Sequence, residues 1–254
     1  MSLDDIKFVL VRPTHPGNIG ATARAMTTMG LPNLSLVAPR DHPSEVATAR
    51  AAGADRVLDN ANVVASLEQA IADCGLVVAT TARERTTKWP THYPREGMTK
   101  VFHHSSRCKV AVVFGQERSG LSNEELDLCQ FMVKIPANPE YSSLNVASAV
   151  QIVAYELRLA HLASADSTAE NSIEKTNYVN VSPPSGDQIR RFYQHLEEVI
   201  FDINFVKTDN STKLMRKLIR LFNRAQMTQE ELNILRGILT AVQWHVPKDK
   251  ARPK

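Results

Sequence analysis

Asn138 to Asn145, NPEYSSLN, runs straight into an apolar stretch of helical character, VASAVQIVAYELRLAHL. Two serines, Ser142 and Ser143, stand at the junction, where a helix leaves backbone N–H groups unpaired and carries a partial positive charge. Such a junction can hold an anionic or polar ligand, or the serines do no more than cap the helix. Gly115 and Gly120 in FGQERSGL mark backbone that turns sharply or approaches something closely. The spacing is neither a P-loop nor GxGxxG, and the P-loop lysine is missing, which argues against nucleoside triphosphates and ordinary NAD binding. Glu117 and Arg118 in the same stretch can equally be a solvated pair. Arg24 stands six residues beyond Asn18, inside a helix that leaves the loop RPTHPGNIG. A lone helical arginine is commonly a surface residue, yet one or two turns into a helix it can reach back toward that loop.

Other chemistry is disfavoured. Cys74, Cys108 and Cys129 are odd in number, widely spaced and without a CxxC, so no disulfide framework or zinc site is expected and a reducing cytoplasm fits. The eight histidines lack metal-ligand spacing; adjacent His103 and His104 diverge on a helix and read as surface residues. No metal site is expected. The apolar run FVLV behind the acidic start MSLDD is too short for a signal or a membrane span. The chain is 43% hydrophobic and 22% charged, enough for a sizeable core. Its net charge of +3 says little by itself about nucleic acid.

Periodicity supplies the elements that must position these residues. Apolar runs at 6–11, 34–37, 57–58, 76–79, 110–114 and 131–135 read as strands. Helical patterns cover 21–29, 44–52, 65–72 and 146–162, and a capping box at Ser122 and Glu125 opens another helix. Alternating strands and helices imply an α/β fold with a mostly parallel sheet covered on both faces. In such sheets ligands bind beyond the carboxyl ends of the strands. RPTHPGNIG, TTARER, GQERSGL and IPANPEYSSLN all follow strands, so they belong on one edge of the sheet and form one pocket. Residues 163–186, rich in Ser, Asn, Ala and Thr, read as a linker. Three amphipathic helices follow at 187–201, 212–225 and 228–245, giving a small all-helical domain (187–246) behind a first domain (1–162). The basic tail KDKARPK (247–254 with the preceding proline) reads as disordered.

Together, GNIGATARAM, FGQERSGL and IPANPEYSSLNVASAV, in that order and spacing, resemble the three motifs of the SPOUT class of RNA methyltransferases. With TTARERTTKWP and the helical extension, the whole chain is similar to the TrmJ-type tRNA 2′-O-methyltransferases. The resemblance implies a C-terminal trefoil knot in the sheet, one of the rare exceptions to unknotted topology. It implies S-adenosylmethionine held by Thr80, Thr81, Ala82 and Arg83, by Gly115 with Glu117 nearby, and by Ile135, Ser142, Ser143 and Leu144. Arg24 is then the leading catalytic residue, Ser143 helps place the substrate, and Asn18 and Glu117 fix the motif loops and Arg24. The family works as a homodimer in which each site is completed by the partner chain. Its target is the 2′-hydroxyl of cytidine or uridine at position 32 of the tRNA anticodon loop.

An arginine stays protonated, so Arg24 is expected to bind the neighbouring phosphate and stabilise the developing alkoxide. RNA contacts are expected from Arg83, Arg85 and Lys88 beside Trp89, which join charge to a stacking surface. Lys207, Lys213, Arg216, Lys217, Arg220 and Arg224 cluster around one predicted helix; they form either an RNA-binding stripe or a solvated face. Three rivals stand beside this reading. One is a ribosomal RNA methyltransferase of the same fold, disfavoured by the C-terminal extension. Another is a catalytically silent RNA-binding dimer, disfavoured by intact Asn18, Arg24, Glu117 and Ser143. The last, an interaction scaffold, leaves the four clustered loops unexplained.

Overall fold

The computed structural model describes residues 2–82, 89–166, 182–206 and 211–245. The strands are β1 (Ile6–Val11), β2 (Asn33–Val37), β3 (Asn62–Val64), β4 (Cys74–Thr81), β5 (Thr91–His92), β6 (Lys109–Phe114) and β7 (Phe131–Lys134). The first seven helices are α1 (Pro16–Met29), α2 (Glu45–Ala51), α3 (Asp55–Asp59), α4 (Leu67–Ile71), α5 (Pro94–His104), α6 (Asn123–Asp127) and α7 (Val146–Asp166). Then come α8 (Gly186–Asp202), α9 (Ser211–Ala225) and α10 (Gln229–His245). Among the described residues the strands make one seven-stranded sheet, β3-β2-β1-β6-β4-β7-β5. Every pairing in it is parallel.

Strands buried on both faces read as continuous apolar runs, and β1 shows how the faces divide. Ile6, Phe8 and Leu10 enter the layer built with α1, α2, α5 and α7. Val9 and Val11 face the opposite layer, with residues of α4 and α6, as the period of two requires. Phe8 and Phe114, on neighbouring central strands, pack with ring centroids 5.3 Å apart. Among the described residues the first part of the chain gives the second layer two five-residue helices, and the C-terminal helices lean against that side. Asp187 N–H, in the first turn of α8, donates to Ala72 C=O at 3.0 Å, and α9 meets α6. The C-terminal helices hold a small core of their own, with Phe192, Met227 and Leu232 buried and Phe192 edge-on to Phe222 at 5.1 Å. Reciprocal capping bonds open α8 (Ser185 with Gln188) and α10 (Thr228 with Glu231).

The structure departs from the sequence reading in several places. Val57 and Leu58 lie in helix α3, and the strand expected there is Asn62–Val64; two apolar residues fix no period, and both are buried from a helical turn. β5 and α5 had no counterpart in the reading. β5 has only two residues, and α5 buries Met98, Val101 and Phe102 behind an otherwise polar sequence. α7 runs to Asp166, four residues into the stretch read as linker, and Ala163 in that extension has high helix propensity. Residues 167–181 and the tail from 246 lie outside the described residues.

α1 also begins earlier than expected, at Pro16, which is pre-shaped for a first helical position, while the His15 ring accepts from Gly17 N–H at 3.0 Å. Gly20 is therefore a helical residue, and its role is packing. A Cβ there would overlap the carbonyl of Ala47 on α2. Gly20→Ala should lower unfolding stability by about 1–3 kcal/mol, the usual cost of overpacking. Denaturant unfolding of the two proteins checks this.

Candidate active site

The loops that leave β4, β6 and β7 converge on a cleft of ≈170 Å³. Thr80, Thr81 and Ala82 come from the end of β4, and Gly115 to Arg118 with Gly120 and Leu121 from the loop after β6. Ile135, Ser142, Ser143 and Leu144 come from the stretch between β7 and α7. Each loop is held in shape by its own chemistry. Thr80 Oγ1 donates to Val113 C=O at 3.0 Å, tying the end of β4 to β6. The loop after β6 folds back on itself: Gly120 N–H donates to Gln116 C=O at 2.8 Å, and Gly120 sits at φ 68°, where glycine costs least. A Cβ on Gly115 would overlap the backbone of Gly120 and Leu121. Both glycines thus serve loop closure.

The loop after β1 joins from the side. The Glu117 carboxylate accepts from Thr14 N–H at 3.2 Å, Thr14 Oγ1 at 2.9 Å, Asn18 Nδ2 at 2.9 Å and His15 N–H at 3.4 Å. Partial burial pushes its pKa up, but the hydrogen bonds from Asn18 and Thr14 and from its own backbone outweigh that and hold it below the usual 4.5. Asn145 Nδ2 in turn donates to Asn18 Oδ1 at 2.9 Å. The chain Thr14–Glu117–Asn18–Asn145 therefore joins the three motif loops.

Asn145 caps α7: its Oδ1 accepts from Ala147 N–H at 2.9 Å, and its carbonyl from Ala149 N–H at 3.0 Å. Ser142 and Ser143 are not caps; they precede the helix by enough residues to line the cleft. Asn145 was legible as an N-cap type directly before the apolar run, but the two serines drew the assignment. Thr14, His15 and Asn145 are the members of this network that the sequence reading did not single out.

Of the residues expected to hold the cofactor, Thr80, Thr81, Ala82, Gly115, Ile135, Ser142, Ser143 and Leu144 all line the cleft. Arg83, Arg85 and Lys88 lie outside the described residues, as does Lys207. Arg24 is exposed on α1 and does not line the cleft of its own chain. Its side chain makes no hydrogen bond or ion pair among the described residues.

The basic stripe divides. Lys213, Lys217 and Arg224 are exposed. Arg216 and Arg220 point inward, donating to the two carboxylate oxygens of buried Asp127 at 2.5 and 3.1 Å. Trp89 is not an open stacking surface either: the Arg220 guanidinium lies 4.7 Å from its ring centroid, and its indole N–H donates to Cys129 C=O at 3.4 Å.

Cys74, Cys108 and Cys129 are free. Burial pushes the Cys74 thiol up to about 12 and that of Cys108 to about 11, far from a reactive thiolate.

Residues 5–155 match the SpoU rRNA Methylase family, and residues 187–253 match the C-terminal domain of the tRNA methyltransferase TrmJ. The chain belongs to the SpoU methylase family. It is 48% identical over 241 residues to the tRNA (cytidine/uridine-2′-O-)-methyltransferase TrmJ of Photorhabdus laumondii, covering 95% of this chain and 98% of that one. The crystal structure of TrmJ from Z. mobilis superposes with a TM-score of 0.80 at 33% identity, covering 93% and 98% of the two chains. The SpoU methyltransferase AviRb from Streptomyces viridochromogenes, solved in complex with AdoMet, shares the fold. Its TM-score is 0.51 at 23% identity, over 63% of this chain and 62% of that one.

Within this family frame the Glu117 network is the part of the site that is open to direct test. Glu117→Gln removes one acceptor oxygen and the charge, leaving donors of the β1 loop under-satisfied, which should cost about 1–3 kcal/mol. Because folding lowers the Glu117 pKa, its contribution is complete above 4.5 and fades as pH falls through the lowered value. The stability gap between wild type and Glu117→Gln should therefore be full at neutral pH and close only in acid. Denaturant melts across that range read it.

Proposed function

We propose that the protein methylates the 2′-hydroxyl of a cytidine or uridine in tRNA, using S-adenosylmethionine, at position 32 of the anticodon loop. The observation that carries this reading is the convergence of three motif loops on one cleft lined mostly by apolar side chains, hydroxyls and loop backbone, with Gln116, Glu117 and Arg118 along one loop. Such a lining suits a neutral heteroaromatic ring and a sugar. Bound there, S-adenosylmethionine supplies a methyl group already activated on a sulfonium.

What is left to the chain is alignment and charge. Ser143, at the mouth of α7, positions the incoming ribose, and the cleft orders it for in-line attack. Arg24 binds the phosphate beside the target and stabilises the developing alkoxide with a charge that no accessible pH removes. Asn18 and Glu117 fix the start of α1, and so fix Arg24 two turns further on.

The proposed unit is a homodimer. Arg24 is exposed and lies outside its own cleft, which supports a site in which it serves the partner chain. Tyr141, just before α7, and Tyr155, on it, are 81% and 50% exposed and supply apolar surface for the contact. The trefoil knot belongs to this reading as well, in keeping with the crossed order β1-β6-β4-β7. So do RNA contacts from Arg83, Arg85, Lys88, Lys213 and Lys217, and a cytoplasmic location, which accords with three free thiols.

Methyl transfer from labelled S-adenosylmethionine to total tRNA, followed by nuclease digestion, tests the reading. Label should appear in 2′-O-methylcytidine or 2′-O-methyluridine, and Arg24→Ala should lower it by about 10²-fold, the scale of a lost transition-state donor. Label on a base would overturn the substrate atom. In a parallel reaction with ribosomal RNA, label there and none in tRNA would overturn the substrate. Co-purified dimers of Arg24→Ala with a cleft variant, Gly115→Val, should recover activity that neither variant shows alone.

A further inference from the structure

Asp127 is 7% exposed and accepts from three groups of α9. Arg216 Nε and Arg220 Nε donate to its two oxygens, and Asn223 Nδ2 donates to its backbone carbonyl at 2.6 Å. Positions 216, 220 and 223 repeat at i, i+4 and i+7, so a single helical face grips one residue. The exposed Lys213 and Lys217 occupy the neighbouring face. A buried carboxylate facing two guanidinium groups is geometrically demanding and weak evidence of stability as such. Its value lies in fixing register.

What Asp127 is attached to matters. It ends α6, a helix of five residues. Glu125 on that helix pairs with Arg12 of the loop after β1 at 2.5 Å, and Leu126 lines the cleft. Three successive residues thus touch the first motif loop, the cofactor cleft and the C-terminal helices. Arg220 also covers Trp89, where the loop after β4 returns to the sheet. If α9 slipped along this contact by one turn it would move about 5.4 Å, more than the roughly 3.4 Å between stacked nucleotides of one strand.

We propose that Asp127, with Arg216 and Arg220, is a positioning device that fixes the register of the RNA-binding face of α9 against the cleft, and so selects which nucleotide is methylated. This rests on the tRNA reading above. Arg216 and Arg220 then act through Asp127 and not through phosphate contacts.

Two variants separate those roles. Asp127→Asn removes the charge and one of the two acceptor oxygens, so the paired grip is lost while both arginines remain; Arg216→Gln/Arg220→Gln removes them and keeps the carboxylate. Under the proposal both lower kcat on tRNA by about tenfold or more, as misplacement does. Both also spread label to nucleotides that wild type leaves unmodified, while affinity for S-adenosylmethionine stays within about twofold, too small a change to reflect lost contacts in the cleft. If the arginines bind RNA directly, Asp127→Asn keeps wild-type kcat and product pattern, and the double variant weakens tRNA binding alone with a shallower salt dependence; that result overturns the proposal. A thermal melt accompanies each assay, and the variant that stays folded carries the test where the other does not. No labelled tRNA from wild type overturns the tRNA reading and this inference with it. Labelled tRNA with an unchanged pattern in both variants overturns the inference alone.

Discussion

The arrangement of the loops around the cleft depends on one carboxylate, that of Glu117. Glu117 accepts four hydrogen bonds from the loop after β1 and the first turn of α1, and through Asn18 its hold extends to Asn145 at the head of α7. Backbone N–H groups at a loop and a helix start must find acceptors somewhere. Here the acceptor sits on a different motif, so satisfying the backbone of one loop locates the other. Hydrogen bonding to the charged form also keeps that form ionised, so the arrangement maintains itself at neutral pH. A site that needs reacting groups held within fractions of an ångström gains from such a frame, because its parts cannot relax independently.

The second dependence is on what covers the sheet. One face has α1, α2, α5 and α7 over a broad apolar layer. On the other, the first part of the chain provides α4 and α6 among the described residues, and five-residue helices have little stability of their own. The C-terminal helices lean on that thin side, at Ala72 and at Asp127. An apparently separate module is thereby part of how the second layer is closed, and α6 gains an anchor at each end: the Ser122–Glu125 capping box at its start and α9 at its finish.

Much of this was legible in the sequence. The central strands are continuous apolar runs, and the polar stretches that follow them lie on one edge, as parallel topology requires. The eight described cofactor residues expected from the motifs meet in one cleft. Other features were hidden for definable reasons. β5 is two residues long and is recognisable only by its partner β7. Val57 and Leu58 fit a strand or a helix equally well until their burial is known. In GNIG the glycines suggested a loop, but Gly20 is there to let α2 approach. Arg216 and Arg220 are as basic as Lys213 and Lys217, and only the position of Asp127, about ninety residues away, turns two of the four inward. Periodicity gives a face; it does not say what that face will meet.

The strand order also constrains how the chain comes to be folded. β6 lies between β1 and β4, yet both of those strands are made before it. Neighbours synthesised in sequence can pair early, but here β1 and β4, each apolar on both faces, must leave a gap of one strand until residues 109–114 arrive. Filling that gap is a non-local step, and such steps are slow and leave unpaired edges exposed while they are pending. The cleft has no floor before that moment, since Gly115 and Glu117 hang from the end of the late strand. The cleft therefore closes only after β6 has entered the sheet and the later β7 and α7 have followed, and the edges of β1 and β4 are the surfaces a chaperone would need to guard until then.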